Sequence, residues 1–365
     1  MSTKRILFTG ARAPIVAYMA RLLYSAGYEI YAADSTYATV CILSRFVNKF
    51  IKLPAPTCPD YKNDLCKVLR DYKIDILIPT CEEIFYISQF KSELEKYSYV
   101  FCDTHEKLIY LHDKWSFYNY LKQANILTPV TQLADKTACK WKENKIIKPR
   151  FSRFASKIIF SNKIPSDKVN KKYLVQEFVK GQQICSYALV KDGKIISQCV
   201  YKPVLTAGKG AGILMKRISH TQAEKITEKI SKNFNFTGQI AFDFIETQNG
   251  DLYTIECNPR TTSGLGFIGR DLLKLLLKND NLKIKSPSAI VSCLGVLSYA
   301  ISQPIKTIRA RKILFTATDF ISIKQDSLAW FAQIPIVIWW FLKGLFFGGP
   351  TAASTADIEF NGGPF

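Results

Sequence analysis

Apolar positions in the first hundred residues alternate between short buried runs and an amphipathic stretch. Residues 5–9 (Arg-Ile-Leu-Phe-Thr) read as a buried strand ending at Gly10. Pro14 then opens a helix whose apolar face carries Ile15, Tyr18, Met19, Leu22 and Leu23, and Gly27 closes it. Residues 29–33 form a second strand before Asp34, and residues 74–78 and 99–102 continue the pattern. Strand, helix and strand in this order predict a parallel sheet, with ligands held at the carboxyl ends of its strands. Gly10-Ala11-Arg12-Ala13-Pro14 is not Gly-x-Gly-x-x-Gly, which argues against a dinucleotide-binding dehydrogenase.

Residues 105–127 read as helical and end at Thr128-Pro129. A short strand at 145–149 (Lys-Ile-Ile-Lys-Pro) leads into the basic loop 150–156 and a strand at 157–160. Such a loop offers backbone N–H groups and positive charge to a phosphate, or is simply an exposed turn. Residues 173–183 form a strand running into a linker, and Lys191-Asp192-Gly193-Lys194 turns the chain into another strand. The glycine-rich segment 208–212 lacks the phosphate-loop lysine pattern and is either a lid or a plain flexible loop.

The most informative pattern is a hairpin: Ile-Ala-Phe-Asp-Phe-Ile at 240–245, Asn249-Gly250, then Leu-Tyr-Thr-Ile-Glu-Cys-Asn at 252–258. A two-residue Asn-Gly turn sets Asp243 opposite Glu256, with Asn258 two residues along on the same face. Phe242, Phe244, Tyr253, Ile255 and Cys257 are then expected on the opposite, core-facing side. Opposed carboxylates repel, so a cation belongs between them. Two carboxylates and an amide carbonyl are hard oxygen ligands that suit Mg²⁺, with manganese as the alternative. The plainer reading is a solvated hairpin edge; Pro259-Arg260 following directly favours the metal.

Composition narrows the picture. The 365 residues are 48% hydrophobic and 13% aromatic, which excludes a disordered chain. The formal charge of +20 suits an anionic ligand or an anionic membrane surface. Lysines are spread throughout without a nucleic-acid motif, which argues against nucleic acid as a partner. Ten cysteines without Cys-x-x-Cys, and no signal peptide at the N-terminus, point to a reducing cytoplasm. Three histidines at no ligand spacing argue against zinc chemistry and a histidine triad.

Taken together, residues 1 to about 270 resemble the ATP-grasp family, of the carboxylate–amine or carboxylate–thiol ligase type with a carbamoyl-phosphate-synthase-like ATP-binding domain. The resemblance implies an α/β chain: a pre-ATP-grasp β-α-β parallel-sheet domain at 1–104, then a two-subdomain ATP-grasp α+β fold at 105–280, divided at 175/176. Residues 281–365 are a C-terminal extension. It also implies roles for individual residues. Lys114 and Lys148 match the ATP-phosphate lysines, and Gln176, Glu177, Phe178 and Val179 match the hinge that receives adenine, largely through backbone groups. Asp243, Glu256 and Asn258 match the magnesium ligands. Arg260 matches the arginine that steadies the transferred phosphate. Gln183 stands where the family usually has a ribose-binding glutamate, and the loop after Lys148 lacks the usual glycines.

The activity so implied is ATP- and Mg²⁺-dependent. A carboxylate is activated as an acyl-phosphate and joined to an amine, with ADP and phosphate released. The alternatives are a nucleotide-binding protein without ligase activity and a membrane-associated module serving envelope or lipid chemistry. The latter is motivated by the apolar residues 328–347, long enough to span a bilayer yet interrupted by Gln333, Pro335, Lys343 and Gly344. Those interruptions lead us to expect a helix packed against the ATP-grasp core, with peripheral membrane contact as the other option.

Overall fold

The computed structural model describes residues 4–135, 145–152, 158–160, 164–207, 211–277 and 286–362. Among these the strands are β1 (Arg5–Phe8), β2 (Glu29–Asp34), β3 (Lys49–Lys52), β4 (Ile76–Ile78), β5 (Tyr99–Val100), β6 (Thr131–Ala134), β7 (Lys145–Pro149), β8 (Ile159–Phe160) and β9 (Asn170–Glu177). They continue with β10 (Gln182–Lys191), β11 (Lys194–Ala207), β12 (Ala211–Ile218), β13 (Gly238–Glu246), β14 (Leu252–Asn258), β15 (Ala289–Val291) and β16 (Thr318–Asp319).

β1 to β5 make a parallel sheet in the order β3-β2-β1-β4-β5, with the Pro14–Ser25 helix crossing between β1 and β2 as the apolar pattern requires. The carboxyl edge is tightly filled at Gly10, whose φ is +66°. A Cβ there would stand 2.7 Å from Glu83 Oε1 and 2.8 Å from Thr80 Oγ1, so only glycine fits. The fold is α/β, a parallel N-terminal sheet followed by two further sheets: the four-stranded β6-β9-β7-β8 and the seven-stranded β14-β13-β10-β11-β12-β15-β16. The chain passes from one to the other through Gly181, where a Cβ would lie 2.2 Å from the Glu246 carbonyl oxygen.

Several expectations are corrected. The 105–127 stretch is two helices, His105–His112 and Lys114–Gln123, broken at Asp113, whose carboxylate accepts from the N–H groups of Trp115 and Ser116 and so caps the second. Asn249-Gly250 is not a two-residue turn. The strands stop at Glu246 and Leu252, and Thr247 bonds back to Asp251 and Gly250 across a longer loop. Near that loop the pairs are Phe244 with Thr254 and Ile245 with Tyr253. A bulge beside Asp243 then shifts the register, so that Asp243 faces Glu256 and Ala241 faces Asn258.

The bulge moves Tyr253 and Ile255 off the core side. Leu252 and Thr254 take their places with Phe242, Phe244 and Cys257. Ala211 and Gly212 lie in β12, in a hairpin with β11; Gly208 to Gly210, the heart of the expected lid, fall outside the described residues, as do residues 153–156 of the basic loop and 157 of the strand expected after it. The apolar C-terminal segment is one helix, Ser327–Phe347, containing Pro335. Its first half packs through Ala329, Trp330 and Ile336 onto a cluster that includes Val40, Cys41 and Phe46, and most of its surface is exposed, contrary to the packed helix expected.

Candidate active site

The site is built outward from a row of paired positions across three strands. Cys185 of β10 pairs with Asp243 of β13, which pairs with Glu256 of β14. The Cys185 thiol donates to Asp243 Oδ1 at 3.0 Å, and Asn258 Nδ2 donates to Asp243 Oδ2 at 3.2 Å. The Oδ1 of the same amide accepts from Arg260 Nη2 at 3.1 Å, so Asn258 links the carboxylate to the guanidinium. Arg260 also lies 4.0 Å from Glu82 Oε1, a buried carboxylate just beyond β4.

Two lysines close on Glu256 from other elements. Lys114, the first residue of its helix, is buried; its Nζ donates to the Ser152 carbonyl at 3.0 Å and stands 3.4 Å from Glu256 Oε2. Asp113 beside it is clamped by Arg150, whose Nε donates at 2.9 Å. Burial would raise the Asp113 carboxyl, yet Arg150 and Ser116 hold it below its ordinary value. Lys148, 2% exposed on β7, carries the four-stranded sheet's charge to the same place. Burial pushes its ammonium down to about 8, against the attraction of Glu256.

The carboxylates are consequently unequal. Burial and the charge of Glu256 push Asp243 up to about 7. Glu256 is opposed by burial but held at about 2 by Lys114 and Lys148. Among the described residues no three His, Cys, Asp or Glu side chains converge as a metal cluster. Two opposed carboxylates and an amide remain. That donor set fits a divalent cation which takes the rest of its shell from water and phosphate, and such a cation would relieve the strained charge at Asp243.

The hinge residues sit at the junction of the two sheets. The Gln176 side chain turns inward to Thr131 Oγ1 at 2.8 Å, leaving only its main chain for a ligand. Glu177 is tied to Val130, whose N–H donates to Glu177 Oε2 at 3.2 Å. Phe178 is exposed and packs edge-on against Phe160, and Val179 is half-buried. Gln183 lies two residues before Cys185 on the same strand face, with Nε2 3.7 Å from that sulfur.

Residues 111–264 match the family model of the ATP-grasp domain. The chain carries an ATP-grasp domain. All the site residues expected from the sequence, from Lys114 to Arg260, fall inside that ATP-grasp segment. No curated protein sequence matches the chain. The fold is shared with solved ATP-grasp enzymes at low identity. N5-carboxyaminoimidazole synthetase from Staphylococcus aureus, complexed with ADP, is 15% identical at a TM-score of 0.61, over 84% of this chain and 86% of that one. The biotin carboxylase domain of 2-oxoglutarate carboxylase from Hydrogenobacter thermophilus, with MgADP and bicarbonate, is 12% identical at 0.60, over 78% and 72%. L-amino acid ligase from Bacillus licheniformis is 12% identical at 0.55, over 73% and 69%.

Reading the sequence alone did not bring Glu82 and Asp113 to the candidate site, and it gave Arg150 only as part of a basic loop, not as the partner of Asp113. Asp113 was detectable as an N-cap acid one residue before Lys114, and Glu82 as an acid at the carboxyl end of a buried parallel strand. Nothing local marks Arg150 as its clamp.

Proposed function

We propose that this protein is an ATP- and Mg²⁺-dependent ligase that activates a carboxylate as an acyl-phosphate and joins it to an amine, releasing ADP and phosphate. The observation that carries the reading is the Asp243–Glu256 pair, met by Lys114 and Lys148 from two other elements and linked to Arg260 through Asn258. Asp243, Glu256 and Asn258 would hold the magnesium, which supplies positive charge between phosphate oxygens.

The chain's own groups do the rest. Lys114 and Lys148 lie where the phosphates of ATP approach Glu256, and Arg260 neutralises charge on the transferred group during in-line attack by the carboxylate. Adenine is received at the main chain of Gln176 to Val179, with Gln183 available to the ribose. Almost no side-chain proton transfer is required of the protein. Water must be kept out, because an acyl-phosphate hydrolyses readily. The reading retains the division into 1–104, 105–280 and 281–365, and a cytoplasmic enzyme acting on small molecules. The nine described cysteines are all free thiols, which suits a reducing compartment.

A phosphate-release screen pairing carboxylates with amines tests the proposal. ADP and phosphate should appear only with a matched pair. AMP as the nucleotide product, or no turnover with any pair despite ATP binding, would overturn it.

A further inference from the structure

The helix Ser327–Phe347 sorts its side chains in the opposite sense to a soluble protein's surface helix. Its fully covered positions are small or polar, Ala329, Ala332, Gln333 and Gly344, with Trp330 and Ile336 partly buried beside them. Its outer side is large and apolar, with Phe331, Ile338, Trp339, Leu342, Leu345 and Phe346 all more than half exposed and Phe346 at 87%. An amphipathic helix that serves only its own core places the large residues inward. A contiguous outward surface of this kind marks an interaction face.

Both ends of the helix are fastened to the protein. Asp326, just before it, is buried and accepts from the Ser44 hydroxyl and the Arg45 N–H, and Trp330 Nε1 donates to Asp319 at 3.3 Å. At the far end a Cβ on Gly344 would stand 2.6 Å from Pro350 N, so the returning chain lies directly against the helix. A lone transmembrane span meets lipid around its whole circumference, whereas the protein itself covers Ala329, Ala332, Gln333 and Gly344 on one side of this helix.

The charge of the region selects the partner. From 286 to 356 the sequence has six cations (Lys306, Arg309, Arg311, Lys312, Lys324 and Lys343) and two acids, Asp319 and Asp326. Both acids are engaged inside: Asp326 as above, and Asp319 by the N–H groups of Cys293 and Ile321 besides Trp330. Four of the cations, Lys306, Arg309, Arg311 and Lys312, are interleaved in sequence with a second apolar group, in which Phe315 is 89% exposed and Ile305 and Ile308 more than half exposed. Lys343 lies over the rings of Trp340 and Phe347. Tryptophan, phenylalanine and leucine interleaved with lysine and arginine, without outward acids, match the headgroup layer of an anionic bilayer.

We propose that the helix Ser327–Phe347, with the basic segment 304–315, is a docking face for anionic lipid bilayers on which the protein lies without crossing them. The inference stands apart from the ligase reading and needs no turnover to test. The full chain is sedimented with vesicles of phosphatidylcholine alone and of phosphatidylcholine with phosphatidylglycerol, at low and high salt. It should pellet with the mixed vesicles, roughly ten-fold less with neutral ones, and be released by salt. Tryptophan emission should shift to the blue and be quenched by lipids brominated near the headgroup.

Two variants separate the contributions. Leu345→Ser with Phe346→Ser should weaken binding to both vesicles while thermal unfolding stays that of the parent. Lys306→Glu with Arg309→Glu and Lys312→Glu should remove the preference for anionic lipid. Binding to neither vesicle overturns the proposal, as does binding that neither variant moves. So does a dimer that Phe346→Ser dissociates and that ignores vesicles, since the face would then join two copies. Retention in the bilayer after combined high salt and alkaline carbonate would show a span instead.

Discussion

Lys114 Nζ stands 3.4 Å from Glu256 Oε2, so one candidate phosphate-binding lysine is neutralised by one candidate metal ligand before any nucleotide arrives. The pairing keeps two buried lysines and two facing carboxylates tolerable together, since each charge alone would be costly to bury. A metal-bound triphosphate carries both signs and can take over both halves of the pair.

Glu256→Gln follows directly from that exchange. The amide preserves shape but removes a metal ligand and leaves Lys114 and Lys148 without their counter-charge. Turnover should fall by roughly 100-fold or more while the circular dichroism spectrum stays that of the parent, and the unfolding midpoint should drop because two buried lysines lose their counter-charge. Steady-state phosphate release at saturating magnesium checks it, and retained activity would remove Glu256 from the site.

Lys148 gives a pH signature. Its ammonium is pushed down to about 8, so in the nucleotide-free protein it loses its charge as pH rises through that value. ATP affinity should therefore decline across that range, and Lys148→Arg, which stays charged, should flatten the decline. Lys148→Ala should raise KM and lower kcat together, because the point charge meets the phosphates in the ground state and more strongly as charge develops in the transition state. Nucleotide titrations from neutral to alkaline pH make the comparison.

Glu82 Oε1 stands 4.0 Å from Arg260, and the other oxygen of that carboxylate accepts from the Phe360 N–H at 2.9 Å. Glu82→Gln should loosen the guanidinium and lower kcat by roughly ten-fold, with KM for ATP little changed. A structural role alone would move the unfolding midpoint and leave the split between kcat and KM unaffected.

Asp357 ties the C-terminal tail to Arg12, Oδ1 to Nη1 at 2.6 Å, and Arg12 also meets Asp34. Burial opposes the Asp357 charge, but Arg12 and Ser35 hold its carboxyl down at about 2 from the ordinary 3.8. The folded-state value is depressed, so this stabilisation is complete above the ordinary value and disappears as pH falls through about 2. Asp357→Asn should cost about 2 kcal/mol at neutral pH and flatten the acid limb of stability. Urea unfolding at pH 7 and at pH values from the ordinary 3.8 down to about 2 measures it.

The chain's own periodicity determined much of this. The β-α-β order, the alternation in β13, and the placing of Asp243, Glu256 and Asn258 on one side of a hairpin follow from local geometry, because side-chain direction repeats within a few residues. Register depends on more than the turn. The two-residue turn counted from Asn249-Gly250 does not form, and Asp243 meets Glu256 because a bulge offsets the longer loop. The outer edge of β14 is meanwhile held by the Thr254 N–H bonding to the Leu127 carbonyl. The contacts of Glu82 with Arg260 and of Arg12 with Asp357 join distant segments and leave no local pattern. Hydropathy marked residues 328–347 as apolar but could not say which side of the helix would be covered. That depended on where Ala329, Gln333 and Gly344 found neighbours, which only the packed tertiary structure decides.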